Sequence, residues 1–188
     1  MGGPDMAPHT PPTLGAPRRS RDAPRNSASS ITPPKPPLDS RRARLVAADL
    51  LSRRAWTCAE LARRLQRRGA PPGVAADVVA DLLSRGHLDD AAFANQWVTT
   101  RSARGYGAAR LRAELRARGV DAAIIGTVLG ELDAADALER ARAVAARRLP
   151  GLRNADPVRA ARRLRDHLLR RGYAAGIVAR VVREGFTD

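Results

Sequence analysis

Lysine is almost missing from this chain: Lys35 stands against 33 arginines among 188 residues. Cysteine is nearly absent too, and a single residue, Cys58, excludes a disulfide framework and a thiolate metal site. His9, His87 and His167 are too scattered to suggest a metal cluster. Aromatic residues make up only 3% of the chain, so its core must be built from Leu, Val, Ile and Ala, which favours close-packed small helices over a β-sandwich. No stretch approaches the roughly 18 apolar residues of a membrane span. Pro and Gly occupy the positions where a secretory apolar core would sit. Together these absences predict a soluble cytoplasmic protein in a reducing compartment, with no membrane partner and no cofactor.

Proline is scarce only beyond residue 40. Ten of the 14 prolines lie in residues 1–40, which are also rich in Ser, Ala and Arg and offer little apolar area against the entropy cost of ordering. This segment reads as a disordered Pro/Arg-rich tail, either a dispensable extension or a basic arm for nucleic acid or a partner. The charge is divided differently. Residues 1–40 hold five basic and three acidic residues, whereas residues 41–188 hold 29 and 16, so +13 of the net +15 belongs to the part able to fold. A body of about 150 residues is an ordinary single-domain size.

What the body does contain is helical periodicity punctuated by Gly and Pro. The pattern predicts helices at about 41–54, 57–68, 72–85, 89–103, 107–118, 121–132, 134–148, 157–171 and 174–184. Thr57 and Glu60 fit a reciprocal capping box, and Asp156-Pro157 sets an N-cap acceptor before a proline at the first helical position. Arg68-Gly69, Arg85-Gly86, Arg118-Gly119 and Arg171-Gly172 each put a cation in a last turn and a glycine where a left-handed residue is wanted.

Alignment on Gly69, Gly119 and Gly172 exposes an internal repeat. Leucine stands eight residues before each glycine (Leu61, Leu111, Leu164) and again four before (Leu65, Leu115, Leu168). Five after come Val74, Ile124 and Ile177; nine after, Val78, Val128 and Val181; ten after, Val79, Leu129 and Val182. Each copy is therefore a helix, a tight turn and a second helix, and one further helix precedes each pair. The expectation is an all-α chain of three tandem three-helix repeats, at about 41–86, 87–132 and 133–188, stacked as an elongated, curved array.

Basic residues cluster on and around the second helix of each repeat: Arg63, Arg64, Arg67 and Arg68; Arg110, Arg112, Arg116 and Arg118, preceded by Arg101 and Arg104; then Arg159, Arg162, Arg163, Arg165, Arg170 and Arg171. The leucines face inward, so most of these arginines face solvent. Such a surface suits a polyanion, either a phosphate backbone or an acidic protein groove. Some of the charge is expected to be paired locally, Glu60 with Arg64 and Glu114 with Arg118 at i, i+4 spacing. No nucleophile with a base, carboxylate pair or cofactor signature suggests an enzyme.

The run Gly86-His87-Leu88-Asp89-Asp90-Ala91-Ala92-Phe93-Ala94, followed by Arg101, Gly105-Tyr106-Gly107, Arg110-Leu111 and Glu114-Leu115, resembles the RecX family of recombination regulators. Leu50-Leu51-Ser52-Arg53-Arg54 and Glu60-Leu61 are similar to that family's first repeat, and the likeness spans about residues 41–185. The resemblance implies a non-enzymatic regulator that binds the RecA filament and inhibits its recombinase, ATPase and co-protease activities in DNA repair and the SOS response. The alternative is a stand-alone basic protein that binds single- or double-stranded DNA. A monomer is expected in either case.

Within that motif Asp89 is placed as an N-cap for a helix carrying the i, i+4 pair Phe93 and Trp97. Gly105-Tyr106-Gly107 is a turn; it lacks the Lys-Ser/Thr of a phosphate-binding P-loop. Arg101, Arg104, Tyr106, Arg110, Arg112 and Arg116 are the candidate contacts to RecA or DNA. Arg63, Arg64, Arg67, Arg162, Arg163 and Arg165 form secondary basic faces. Cys58 and His87 are expected to be partly buried and unreactive.

Overall fold

The structure, a computed structural model, describes residues 37–132 and 134–186; of the tail read at residues 1–40, residues 1–36 lie outside the description, whereas Leu38 packs on the first core and Asp39 caps a helix that already starts at Ser40. The described residues form nine α-helices: α1 Ser40–Arg53, α2 Cys58–Arg67, α3 Pro72–Ser84, α4 Asp90–Ala103, α5 Ala108–Arg118, α6 Ala122–Gly130, α7 Ala134–Arg148, α8 Pro157–Arg170 and α9 Ala175–Phe186. A 3₁₀ turn at Leu149–Leu152, which periodicity did not predict, follows α7. No helix among them is long and apolar enough to cross a membrane.

The helices group in threes around separate apolar cores. Leu50, Leu61, Leu65, Ala75 and Val78 centre the first; Val98, Leu111, Leu115, Ile125 and Val128 the second; Val144, Leu164, Leu168, Val178 and Val181 the third. All six leucines of the −8 and −4 columns are completely buried. The column five after each glycine is not the deepest one. Val74, Ile124 and Ile177 are half-buried, whereas Ala75, Ile125 and Val178, one position on, are buried. The residue just after each glycine, Ala70, Val120 or Tyr173, is buried as well, because the turn folds it back under the preceding helix.

Those turns share one hydrogen bond. The amide after the glycine donates to the carbonyl four residues before it: Ala70 to Leu65, Val120 to Leu115 and Tyr173 to Leu168, at 3.0, 3.1 and 3.3 Å. This six-to-one bond satisfies a carbonyl the helix end would leave open and holds the glycine at positive φ.

Neighbouring repeats join through the same turns. The N-terminus of one second helix lies on the glycine turn that ends the next. The Thr57 hydroxyl, which caps α2 by accepting from the Glu60 amide, donates to the Arg118 carbonyl at 2.8 Å. A methyl on Gly119 would sit 2.4 Å from the Ala59 Cβ. At the next junction the Gly107 amide donates to the Arg171 carbonyl at 2.7 Å and the Ala109 amide to the Gly172 carbonyl at 3.1 Å. A methyl on Gly172 would lie 2.4 Å from the Arg110 nitrogen. Two amides at the start of α5 thus take partners from another repeat, where a free helix would need water or a side-chain cap. Gly69 ends the second helix of the first repeat among the described residues. Its carbonyl accepts instead from the Leu38 amide, so the chain just ahead of α1 occupies the place a preceding repeat would take.

Candidate polyanion-binding site

Glu60 and Glu114 do not make the local pairs expected of them. Glu60 neither reaches back to its capping residue nor pairs with Arg64; its carboxylate accepts from Arg118 at 2.6 Å and from Arg54 at 3.3 Å. Glu114 accepts both arms of Arg101, at 3.0 and 2.6 Å, together with Arg110 and the Trp97 indole N–H. The reason is geometric: α2 meets α5 end-on and α4 lies beside α5, so arginines from other helices reach these carboxylates in better geometry than the i+4 neighbour does. Glu114 and Arg101 keep only 18% and 21% of their side-chain surface exposed. Burial opposes the charge of Glu114, but the bonds from Arg101, Arg110 and Trp97 outweigh it and hold the carboxyl below the usual range.

The aromatic side chains orient arginines rather than presenting open faces. Phe93 and Trp97 stack with ring centres 5.9 Å apart, on the helix that Asp89 caps as expected. The Arg118 guanidinium covers Trp97 at 3.9 Å, and Arg54 covers Trp56 at 3.5 Å. Arg101, Arg110 and Arg171 all lie over Tyr106, at 4.4, 4.6 and 5.3 Å.

Three clefts lined by these arginines adjoin one another. The middle one, about 560 Å³, is bounded by Arg54, Phe93, Trp97, Arg101, Arg104 and Arg118. Arg54 is shared with a second cleft, about 500 Å³, that adds Trp56, Glu60, Arg63, Arg64 and Arg67 from the first repeat. Arg104 is shared with a third, about 340 Å³, that adds Val144, Arg147, Arg148, His167 and Arg171. A basic strip therefore crosses all three repeats.

The strip gathers some expected residues and leaves others out. Arg101, Arg104, Arg63, Arg64 and Arg67 lie on it. Arg110, Arg112, Arg116, Arg162, Arg163 and Arg165 line none of the three clefts, and Tyr106 sits among guanidiniums as their platform. Arg54, Arg118, Arg147, Arg148 and Arg171 were not foreseen as contacts. Arg118 and Arg171 had a usable signal: each precedes a repeat glycine, and stacking must bring that turn to a junction. His87, expected to be partly buried, is exposed, while Cys58 is half-buried. Among the described residues no group of three or more His, Cys, Asp or Glu side chains is placed to hold a metal ion.

Three three-helix units, each with its own apolar core and joined through their glycine turns, define a tandem helical-repeat protein. The family models for RecX match unit by unit: the first three-helix domain at residues 43–82, the second at 89–129 and the third at 135–182. Regulatory protein RecX of Mycobacterium avium is 40% identical over 158 residues, covering 82% of this chain and 91% of that one. Its counterpart in Streptomyces coelicolor is 36% identical over 157 residues, covering 83% and 82%. The crystal structure of RecX from Lactobacillus salivarius shares the fold with a TM-score of 0.70 at 16% identity, over 77% of this chain and 95% of that one. The chain belongs to the RecX family of regulatory proteins.

Proposed function

We propose that this chain is a non-enzymatic regulator that binds the RecA filament through the basic strip and lowers its recombinase, ATPase and co-protease activities. The observation that carries the reading is the continuity of three arginine-lined clefts across three repeats. A strip of this kind engages an extended acidic groove, such as successive protomers of a filament present, better than it engages a compact partner. Several of its guanidiniums are held in place by Glu60, Glu114 and the aromatic rings, so little side-chain entropy is lost on docking.

The test is DNA-dependent ATP hydrolysis by RecA, titrated with the wild-type chain and two variants of equal charge. Arg67→Glu/Arg104→Glu reverses exposed charges on the strip, and Arg162→Glu/Arg163→Glu reverses exposed charges off it. The first variant is expected to lose inhibition and the second to keep it. Equal inhibition by wild type and R67E/R104E overturns the assignment of the face, and no inhibition by the wild type at low salt overturns the function.

A further inference from the structure

The three clefts are not equally neutralised. In the first two, Arg54, Arg101 and Arg118 each pair with Glu60 or Glu114. In the third, no carboxylate among the described residues pairs with Arg104, Arg147, Arg148 or Arg171. Four guanidiniums from three separate segments, the α4–α5 turn, the end of α7 and the end of α8, converge with only Val144 as an apolar wall and no Phe, Tyr or Trp in the lining. Like charges gathered this way repel each other. The fold holds them together, and no carboxylate among the described residues offsets them.

One of the four is already positioned. Arg171 donates through Nη1 to the carbonyls of Arg104, at 2.8 Å, and Gly105, at 3.3 Å, and through Nε to His167 Nε2 at 3.2 Å. Among the described residues its other arm, Nη2, has no hydrogen-bond partner. Guanidiniums in a fixed fork geometry match the oxygens of a phosphate, and with the one ring of the lining, His167, tied to Arg171, the cleft's donors address the phosphate rather than a base.

We propose that the cleft bounded by Arg104, Arg147, Arg148, His167 and Arg171 is a phosphate-binding site, with His167 coupling its occupancy to pH. His167 accepts from Arg171 only while Nε2 is unprotonated. Burial, followed by the charges of Arg171, Arg148 and Arg170, keeps it so and holds its pKa below the usual histidine value. Arg104 and Arg147 line the same cleft from the facing segments and add to that repulsion. An anion entering offsets these charges, so the imidazole takes up a proton as the ligand binds. By linkage, binding is tighter below the ordinary histidine pKa than above it. Protonation also releases Arg171 Nε from His167, making a further donor available to the ligand.

The inference concerns the isolated chain at one end of the strip, so it stands or falls separately from RecA inhibition. Calorimetric titrations of the full chain at low ionic strength with sodium sulfate, sodium phosphate and an oligonucleotide lacking terminal phosphates provide the test. Sulfate does not titrate near neutral pH, so its pH dependence reports the protein alone. Wild type is expected to bind sulfate and phosphate saturably, and sulfate, whose charge is constant, more tightly at pH 6 than at pH 8. Arg147→Ala/Arg148→Ala, which alters two exposed side chains without a carboxylate partner, should weaken binding by about tenfold or more. His167→Gln should keep binding and lose its pH dependence. An oligonucleotide that competes with phosphate identifies a nucleic-acid backbone as the source; one that does not compete identifies a small phosphorylated molecule. Unchanged affinity in R147A/R148A with native helicity, absence of saturable binding in the wild type, or displacement of phosphate by an acidic peptide at lower concentration than by the oligonucleotide would each overturn the proposal. A variant that loses phosphate but still inhibits RecA assigns the two activities to different parts of the strip.

Discussion

Alanine at Gly172 tests whether the repeats are held together by the turn geometry. Gly69 and Gly172 occupy equivalent positions, with φ of 98° and 89°, so an alanine at either meets the same left-handed backbone penalty, about 1 kcal/mol. They differ in what the new methyl touches. At Gly69 nothing lies within 4 Å; at Gly172 the methyl falls 2.4 Å from the Arg110 nitrogen and 2.6 Å from its Cβ. Backbone in a helix start has no rotamer to give, so the α5 end must lift off the turn. Two inter-repeat bonds then fail, Gly107 to Arg171 and Ala109 to Gly172. At about 1 kcal/mol each, they bring the cost of Gly172→Ala to about 3 kcal/mol, against about 1 for Gly69→Ala.

Urea unfolding followed by circular dichroism measures both. In a stacked array a weakened junction also uncouples its neighbours, so the G172A transition should broaden or split as the third repeat unfolds apart from the first two. G69A should shift the curve without changing its shape. Equal costs for the two variants would refute the claim that the glycine is required by the close approach of the next repeat.

Other consequences follow from the buried and half-buried polar groups. Glu114→Gln removes the carboxylate that four donors share and leaves Arg101 poorly compensated; because both groups keep some solvent, the expected loss is about 2 kcal/mol at neutral pH. The sign with pH is fixed by the lowered folded pKa of Glu114. The wild type's advantage over E114Q is full above the unfolded carboxyl value of about 4.3 and shrinks as pH falls through the folded value. Parallel urea curves from pH 7 to pH 3 check this, and a constant difference would contradict it. The Cys58 thiol is pushed up to about 11, first by burial and then by the Asp90 carboxylate, whose Oδ1 also accepts the Cys58 amide. Alkylation at pH 8 should therefore run about a hundredfold slower than for a free thiol, and Asp90→Asn should accelerate it.

The leucine columns and glycine turns were legible because they depend on spacing along one chain. Periods of 3.6 residues and a fixed left-handed stop place Leu61, Leu65 and their counterparts without knowledge of any neighbour. What failed depended on distances between elements. Glu60 and Glu114 sat correctly for i, i+4 partners, yet Arg118, 58 residues away, and Arg101, 13 away, took them. The offset of one between the expected column at Ile177 and the buried Val178 has the same origin. Both residues lie on the apolar side of α9, and only the direction from which α7 and α8 approach decides which is covered. The strip divided in the same manner. Arg104 and Arg67 belong to recognisable basic clusters, whereas Arg147 and Arg148 enter it only because the end of α7 packs beside the α4–α5 turn.

The near absence of lysine is open to a compositional explanation, since a solvated helix face needs charge but not a guanidinium. The structure separates the positions where that explanation suffices from those where it does not. Arg147 and Arg148 use only their charge within the described fold, and lysine there should leave stability unchanged. Arg171 uses geometry: its planar head bonds two carbonyls and His167 at once while lying over Tyr106. An ammonium has neither the fork nor the flat face, so Arg171→Lys keeps the net charge yet loses most of these contacts. The expected cost is about 1–2 kcal/mol, roughly one to two net hydrogen bonds, with release of His167 toward a more ordinary pKa. Urea curves and the His167 ring resonances across a pH titration measure the two effects together. If R171K matches wild type in both, arginine at this junction is interchangeable with any cation, and the abundance of arginine carries no structural meaning there.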